Sequence, residues 1–263
     1  MYNIETKKRV VIKIGTSTLA HKTGRLNIRR IEKLVKVISD IQNSGREVIL
    51  VSSGAIGLGM SKLGMQKRPT ETKLKQACAA VGQCELMYIY DKLFGEYNLT
   101  VAQLLLTKYV IEGPRKNNII KTVEELVNHH VIPIVNENDT VAIDELELEF
   151  GENDTLAAQV ALLCNADLLV IMSDIDGFYN ANPKIDPNAQ LIPVVNEINE
   201  DIRKLAGDAV SGLGTGGMIT KLNAAELVMN EGIDMALLNG RNPSILYDLF
   251  DGKTAGTIFT SEK

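Results

Sequence analysis

The stretch Val10-Val11-Ile12-Lys13-Ile14-Gly15-Thr16-Ser17-Thr18 decides the fold class. Apolar residues surround a single lysine, and the run ends in a glycine followed by hydroxyls. A segment apolar on both faces predicts a strand buried in a parallel sheet, over residues 10–14. Ligands of open α/β sheets bind beyond the carboxyl ends of the strands, so chemistry is expected at the turn after Ile14. Lys13 lies near that end. An ammonium group among apolar neighbours is costly unless an anion pairs with it, although a lysine there can also snorkel to solvent. Gly15 lets backbone N–H groups approach an anion closely.

Outward from this run, β-branched segments at residues 48–51, 101–106, 131–135 and 168–172 predict further buried strands. Helical stretches separate most of them. Residues 27–44 are the clearest: Ile31, Leu34, Val35, Ile38 and Ile41 form one apolar stripe, Asn27 is placed as the N-cap and Gly45 as the stop. Residues 72–97, 122–130, 154–164 and 218–230 continue the alternation, while residues 203–210 read as helix or loop. Strands alternating with helices predict an α/β fold, a mostly parallel sheet covered on both faces. Residues 141–150 break the rhythm by alternating apolar and acidic side chains, which predicts a half-exposed antiparallel strand in a hairpin.

Bulk properties narrow the function. A chain of 263 residues, 45% hydrophobic and 23% charged, suits one large soluble α/β domain or two lobes. A net charge of −5, no Lys/Arg block and no Trp argue against nucleic acid and anionic membranes as partners. Cys78, Cys84 and Cys164 have no CxxC spacing, so buried reduced thiols are expected, with neither a disulfide framework nor a zinc site. A polar N-terminus and apolar runs of strand length lead to the expectation of a cytoplasmic protein.

Three more strand ends carry polar clusters. Ser52-Ser53-Gly54-Ala55 follows residues 48–51, where the hydroxyls fit an anion site or simple N-capping. Asn136-Glu137-Asn138-Asp139 follows residues 131–135, with amides and carboxylates suited to an ammonium group and a carboxylic acid together, or to an Asx-turn. The tetrapeptide Glu137-Asn138-Asp139-Thr140 recurs as Glu152-Asn153-Asp154-Thr155. Ser173-Asp174-Ile175-Asp176-Gly177 follows residues 168–172 and lacks the further ligands of a calcium loop.

The strongest segment is Ser211-Gly212-Leu213-Gly214-Thr215-Gly216-Gly217-Met218-Ile219-Thr220-Lys221. Glycines precede a helix and a lysine follows in its first turns, so backbone N–H groups, the dipole and a full charge all favour phosphate. It is not a Walker A loop, and no strand precedes its GxGxxG spacing as a dinucleotide fold requires. His129 and His130 lack metal-ligand spacing.

Taken together and in this order, Lys13 to Ser17, Ser52 to Ile56, Asn136 to Asp139, Gly151 to Asp154, Ser173-Asp174 with Gly177-Phe178-Tyr179, and Gly212 to Lys221 resemble the amino acid kinase superfamily, in the branch that acts on glutamate. The resemblance covers residues 10–257 and implies a three-layer α/β/α sandwich with a mainly parallel central sheet. It implies a single domain, residues 1–263, with an acceptor-binding lobe to about residue 165 and a nucleotide-binding lobe over about 166–263. By motif, Lys13 and Lys221 contact the transferring phosphoryl group and Asp154 orients them. Ser53, Asp139 and Asn153 bind glutamate. Lys13, Gly15, Ser173, Asp174, Thr215, Gly216, Gly217, Met218, Ile219, Thr220 and Lys221 bind ATP. Magnesium is expected on ATP, with no protein side chain named as its ligand. The resemblance further implies proline as feedback inhibitor, glutamyl phosphate reductase as pathway partner, a homo-oligomer, and a short form without the C-terminal domain of many bacterial members.

The implied reaction suits the inventory. Phosphoryl transfer needs positioning and charge neutralisation, and a carboxylate acceptor with a pKa of about 4.3 is already ionised at neutral pH, so no general base is required. Acid kinases acting on N-acetylglutamate or aspartate, an NAD(P)-dependent oxidoreductase and a non-catalytic amino-acid sensor remain alternatives at this level.

Overall fold

The computed structural model describes residues 4–21, 25–142, 153–183, 185–208 and 217–261. The expected hairpin at 141–150 lies almost wholly outside the described residues, as do Thr215 and Gly216 of the glycine segment. In chain order the elements are β1 (Arg9–Ile14), α1 (Thr16–Leu19), α2 (Ile28–Asn43), β2 (Glu47–Val51), α3 (Ala55–Lys62), α4 (Thr72–Gly95), β3 (Val101–Leu106), α5 (Lys108–Glu112), α6 (Lys116–Asn128) and β4 (Ile132–Glu137). There follow α7 (Asn153–Leu163), β5 (Leu168–Ser173), β6 (Phe178–Tyr179), β7 (Leu191–Ile192), β8 (Val194–Val195), α8 (Glu200–Asp208), α9 (Met218–Met229), β9 (Asp234–Asn239), α10 (Ile245–Phe250) and β10 (Thr257–Phe259).

Eight strands form one sheet in the order β3-β4-β2-β1-β5-β9-β10-β8. All neighbours are parallel except β9 and β10, and β6 pairs with β7 in a separate antiparallel ribbon. The period-two geometry of a strand sorts the side chains of β1 between two cores. Val10, Ile12 and Ile14 pack with α2, α4 and α10 on one face. Val11 packs with α6, α7 and α9 on the other. Lys13 falls in the Val11 series, so it is the polar member of an otherwise apolar row beneath α7 and α9. The sheet is therefore sandwiched between two helical layers, the α/β/α architecture that the resemblance implies.

β1 is central: Lys13 pairs with Val51 of β2 on one side and with Ile171 of β5 on the other. The chain winds outward from β1 in both directions, so the carboxyl end of β1 is the switch point where α/β sheets bind ligands.

Helix α2 forms as its stripe predicts. Asn27 caps it, its side chain accepting from the Arg30 N–H, and the chain leaves through Gly45 at φ +99°. Several expectations need correction. Asn136 and Glu137 belong to β4 itself, because the ladder with β3 continues through Leu105 and Leu106. Helix α6 begins at Lys116, earlier than the sequence pattern starts it. Neither Ser52 nor Ser53 caps α3, whose N-cap is Gly54 at φ +95° with no side-chain bond. Cys78 and Cys164 are buried as expected, but Cys84 is exposed.

Candidate active site

Lys13, from β1, has its ammonium nitrogen 2.7 Å from Asp154 Oδ1. Lys221, from α9, lies 3.1 Å from Asp154 Oδ2, and the Thr220 hydroxyl donates to that same oxygen at 3.1 Å. Asp154 is 1% exposed and Lys221 4%. The cluster forms because three elements end together: β1 at the sheet centre, and the first turns of α7 and α9, which pack on each other above it. Asp154 sits in the first turn of α7, where the helix dipole favours a carboxylate. Burial pushes its carboxyl up, yet the charges and hydrogen bonds of Lys13 and Lys221 outweigh that and hold it below its ordinary value of 3.8.

The charge balance is informative. Two ammonium groups meet on one buried carboxylate, and charges held in so dry a place favour an anionic ligand beside them. Helix α9 adds to this. Its N-cap, Gly217, supplies no side-chain bond, so the backbone N–H groups of its first turn are not capped from there.

A second network joins the first through Asn153, the neighbour of Asp154. The Asn153 amide nitrogen lies 2.8 Å from both the Ser52 carbonyl and the Ser53 hydroxyl oxygen, and 3.3 Å from Asn136 Oδ1. By accepting from Asn153, the Ser53 hydroxyl keeps its own O–H to donate elsewhere. Asn136 in turn donates to Gln83 Oε1 at 2.8 Å. Ser52 bonds the phenol of fully buried Tyr90 at 3.0 Å, and burial pushes that phenol up to about 12. The site wall thus rests on α4, which lies against α3 in backbone contact: a Cβ on Gly82 would come 1.7 Å from the Ala55 carbonyl oxygen.

Lys13, Asp154, Thr220 and Lys221 are therefore brought together, with Asn153 and Ser53 adjoining. Gly15 donates from its backbone to the Met172 carbonyl at 3.3 Å, next to Ser173. Ser173 ends β5, and its hydroxyl donates to Asp174 Oδ1 at 3.3 Å. Asp139 stands half-buried in the turn beyond β4, Gly217 and Met218 are half-buried at the start of α9, and Ile219 is exposed. Gln83 and Tyr90 were missed by the sequence reading. Both lie on the buried face of α4 in the series Ala79, Gln83, Leu86, Tyr90, and a glutamine within such a series is the signal that was available. His129 is exposed and pairs only loosely with Glu125, far from this cluster in the chain.

The sequence model of the amino acid kinase family matches residues 8–239. The chain belongs to the amino acid kinase family. Within that family it is similar to proteins named glutamate 5-kinase. The one from Clostridium perfringens is 52% identical over 99% of this chain and 98% of its own length. Those from Listeria innocua and Enterococcus faecalis are 52% and 50% identical, each covered over 96% of its length. Among solved structures, a UMP kinase from Bacillus anthracis superposes with TM-score 0.66 at 16% identity, over 98% of this chain and 97% of that one. An isopentenyl phosphate kinase from T. acidophilum superposes at 0.64 with 17% identity, over 96% of this chain and all of that one. At such identities these two establish the amino acid kinase-like fold and nothing finer.

Proposed function

We propose that this chain transfers the γ-phosphoryl group of ATP to the side-chain carboxylate of L-glutamate, giving glutamyl 5-phosphate in the first step of proline biosynthesis. The observation that carries the reading is the buried Lys13–Asp154–Lys221 cluster at the switch point. The glutamate 5-kinases at 50–52% identity support the acceptor.

In this reading Lys13 and Lys221 face the oxygens of the moving phosphoryl group, and Asp154 fixes both lysines in place. An acceptor oxygen bonds to the γ-phosphorus as the bond to the β,γ-bridging oxygen breaks, and ADP leaves. The acceptor is already ionised, so no proton moves and no histidine is needed. Positioning and electrostatic stabilisation do the work. Ser53, Asp139 and Asn153 hold glutamate, Asp139 meeting its ammonium group. Gly15, Ser173, Asp174 and the segment from Thr215 through Gly217 to Lys221 hold ATP. The acceptor accordingly belongs to the part of the domain up to about residue 165 and the nucleotide to the part from about 166.

Among the described residues no group of three or more His, Cys, Asp or Glu could cage a metal, and Asp154 gives both oxygens to lysines. This donor set fits a magnesium ion carried by the ATP phosphates and water, where it would neutralise phosphate charge. Proline as inhibitor at the acceptor site, a reductase that consumes the labile acyl phosphate, and a homo-oligomeric cytoplasmic enzyme complete the proposal. No helix among the described residues is long and apolar enough to cross a membrane.

The test is ATP-dependent hydroxamate formation, with hydroxylamine trapping the acyl phosphate, for glutamate, N-acetylglutamate and aspartate, each with and without proline. Hydroxamate from glutamate alone is expected. Product from N-acetylglutamate and none from glutamate would overturn the assignment.

A further inference from the structure

A cleft of about 600 Å³ opens on the α2 face of the sheet, the face opposite Lys221, between the start of α2 and the loop after β9. Arg29, Arg30, Lys33 and Arg241 line it with His21 and Asn27, and no carboxylate is among its described lining residues. On a chain of net charge −5 such a cleft runs against the background charge. Arg29 and Lys33 are four residues apart on α2, so they share a helix face, where like charges repel. Among the described residues, the side chains of Arg29, Lys33 and Arg241 pair with no carboxylate. Arg30 is engaged by the fold, its guanidinium donating to the Thr18 carbonyl at 3.5 Å.

Asn27 adds an independent pointer. The residue lines the cleft and is 9% exposed; its side-chain carbonyl oxygen is taken by the helix cap, while its amide nitrogen donates to none of the described residues. An amide donor, two guanidinium forks and an ammonium group therefore border one space that has no carboxylate among its described lining residues. Guanidinium forks match phosphate oxygens bidentately. The volume lies within the range of small-molecule sites.

We propose that this cleft is a second binding site, distinct from the reaction centre, for a compact polyanion bearing two or more phosphate groups. The site does not depend on which acceptor the enzyme phosphorylates. Arg29, Lys33 and Arg241 supply the charge, Asn27 supplies a fixed donor, and Arg30 holds the adjoining α1 turn. The phosphates can arrive as an inorganic chain or on a nucleotide, which share the recognised chemistry.

The experiment is calorimetric titration of the full chain with magnesium and glutamate present and no ATP analogue, so that the reaction centre and the cleft are both open. Inorganic tripolyphosphate and GDP are the two probes. Tripolyphosphate is expected to bind in two equivalents, one of them at least tenfold more weakly after Arg29→Ala, Lys33→Ala and Arg241→Ala are combined, with hydroxamate turnover unchanged. Tighter binding of GDP would assign a nucleotide, and equal binding the phosphates alone. A control that combines Arg115→Ala, Lys116→Ala and Lys121→Ala, all exposed positions at the start of α6, removes the same charge elsewhere. The proposal is overturned by absence of binding to the unaltered chain, by unchanged affinity in the first variant, or by equal loss in the control.

Discussion

Lys13 and Lys221 grip opposite oxygens of the same carboxylate, 2.7 and 3.1 Å from Asp154. One lysine comes from the first strand of the sheet and the other from a helix near the end of the chain. A carboxylate placed between two ammonium groups prevents their mutual repulsion from driving them apart. Electrostatic stabilisation of this kind works because the dipoles and charges are fixed before the reaction begins.

Asp154→Asn keeps the shape and removes the charge. Turnover in the hydroxamate assay should fall by roughly 10²–10³-fold, as when a preorganised stabilising group is lost. Both ammonium groups would then lose the carboxylate they share, and the stability to urea should drop by about 3–5 kcal/mol. Lys221→Ala should lose turnover by a comparable factor. A Lys221→Ala enzyme with undiminished kcat would place the chemistry elsewhere.

Acid should weaken the fold through the same residue. The Asp154 carboxyl is held below its ordinary 3.8 by the two lysines despite the opposing effect of burial. A group whose folded pKa is depressed stabilises the native state above its unfolded value, and that contribution disappears as pH falls through the folded value. The melting temperature should therefore decline below about pH 4. Asp154→Asn should melt lower at neutral pH and show a shallower acid decline. Parallel declines in the two proteins would show that Asp154 has no part in acid sensitivity.

The sheet and the principal cluster were legible in the chain because apolar runs and strand-end polar residues are local signals. Lys13 stood out as a charge inside a buried strand, and Lys221 as a charge behind glycines. Their union at Asp154 was not spelled out by either segment and came only through family resemblance. The strands β9 and β10 escaped notice: Asp234–Asn239 opens on an acid that pairs with Lys7, and the three residues of Thr257–Phe259 are too few to show a period. Ser52 and Ser53 read naturally as caps, yet Gly54 takes that place and frees both side chains for Tyr90 and Asn153. Such assignments depend on partners distant in sequence, which periodicity does not report.

The Gln83–Asn136–Asn153–Ser53 chain should govern the acceptor and leave ATP alone. Asn153→Ala removes the donor that orients Ser53, and the KM for glutamate should rise about tenfold, the loss of one hydrogen bond to a charged group, with the KM for ATP within about twofold. Gln83→Leu removes the acceptor that fixes the Asn136 amide and should move the same constant in the same direction, by less. If either variant raised the KM for ATP instead, the network would belong to the nucleotide side.

Two glycines on the same helix should respond in opposite ways to gaining a methyl group. A Cβ at Gly59 would lie 1.8 Å from the Cys78 carbonyl oxygen, a backbone atom that moves only if α3 and α4 separate. Gly59→Ala should therefore cost about 3 kcal/mol in urea unfolding, at the upper end of overpacking effects because the obstacle is main chain. Since α3 begins directly after Ser53 and Gly54, the shift should also raise the KM for glutamate. Gly57, two residues earlier, has nothing within 4 Å of its added Cβ. Gly57→Ala should stabilise by about 0.5–1 kcal/mol, the ordinary helix preference of alanine over glycine, with unaltered kinetics. Equal responses at the two positions would mean that the close approach of α3 and α4 does not hold the acceptor wall in place.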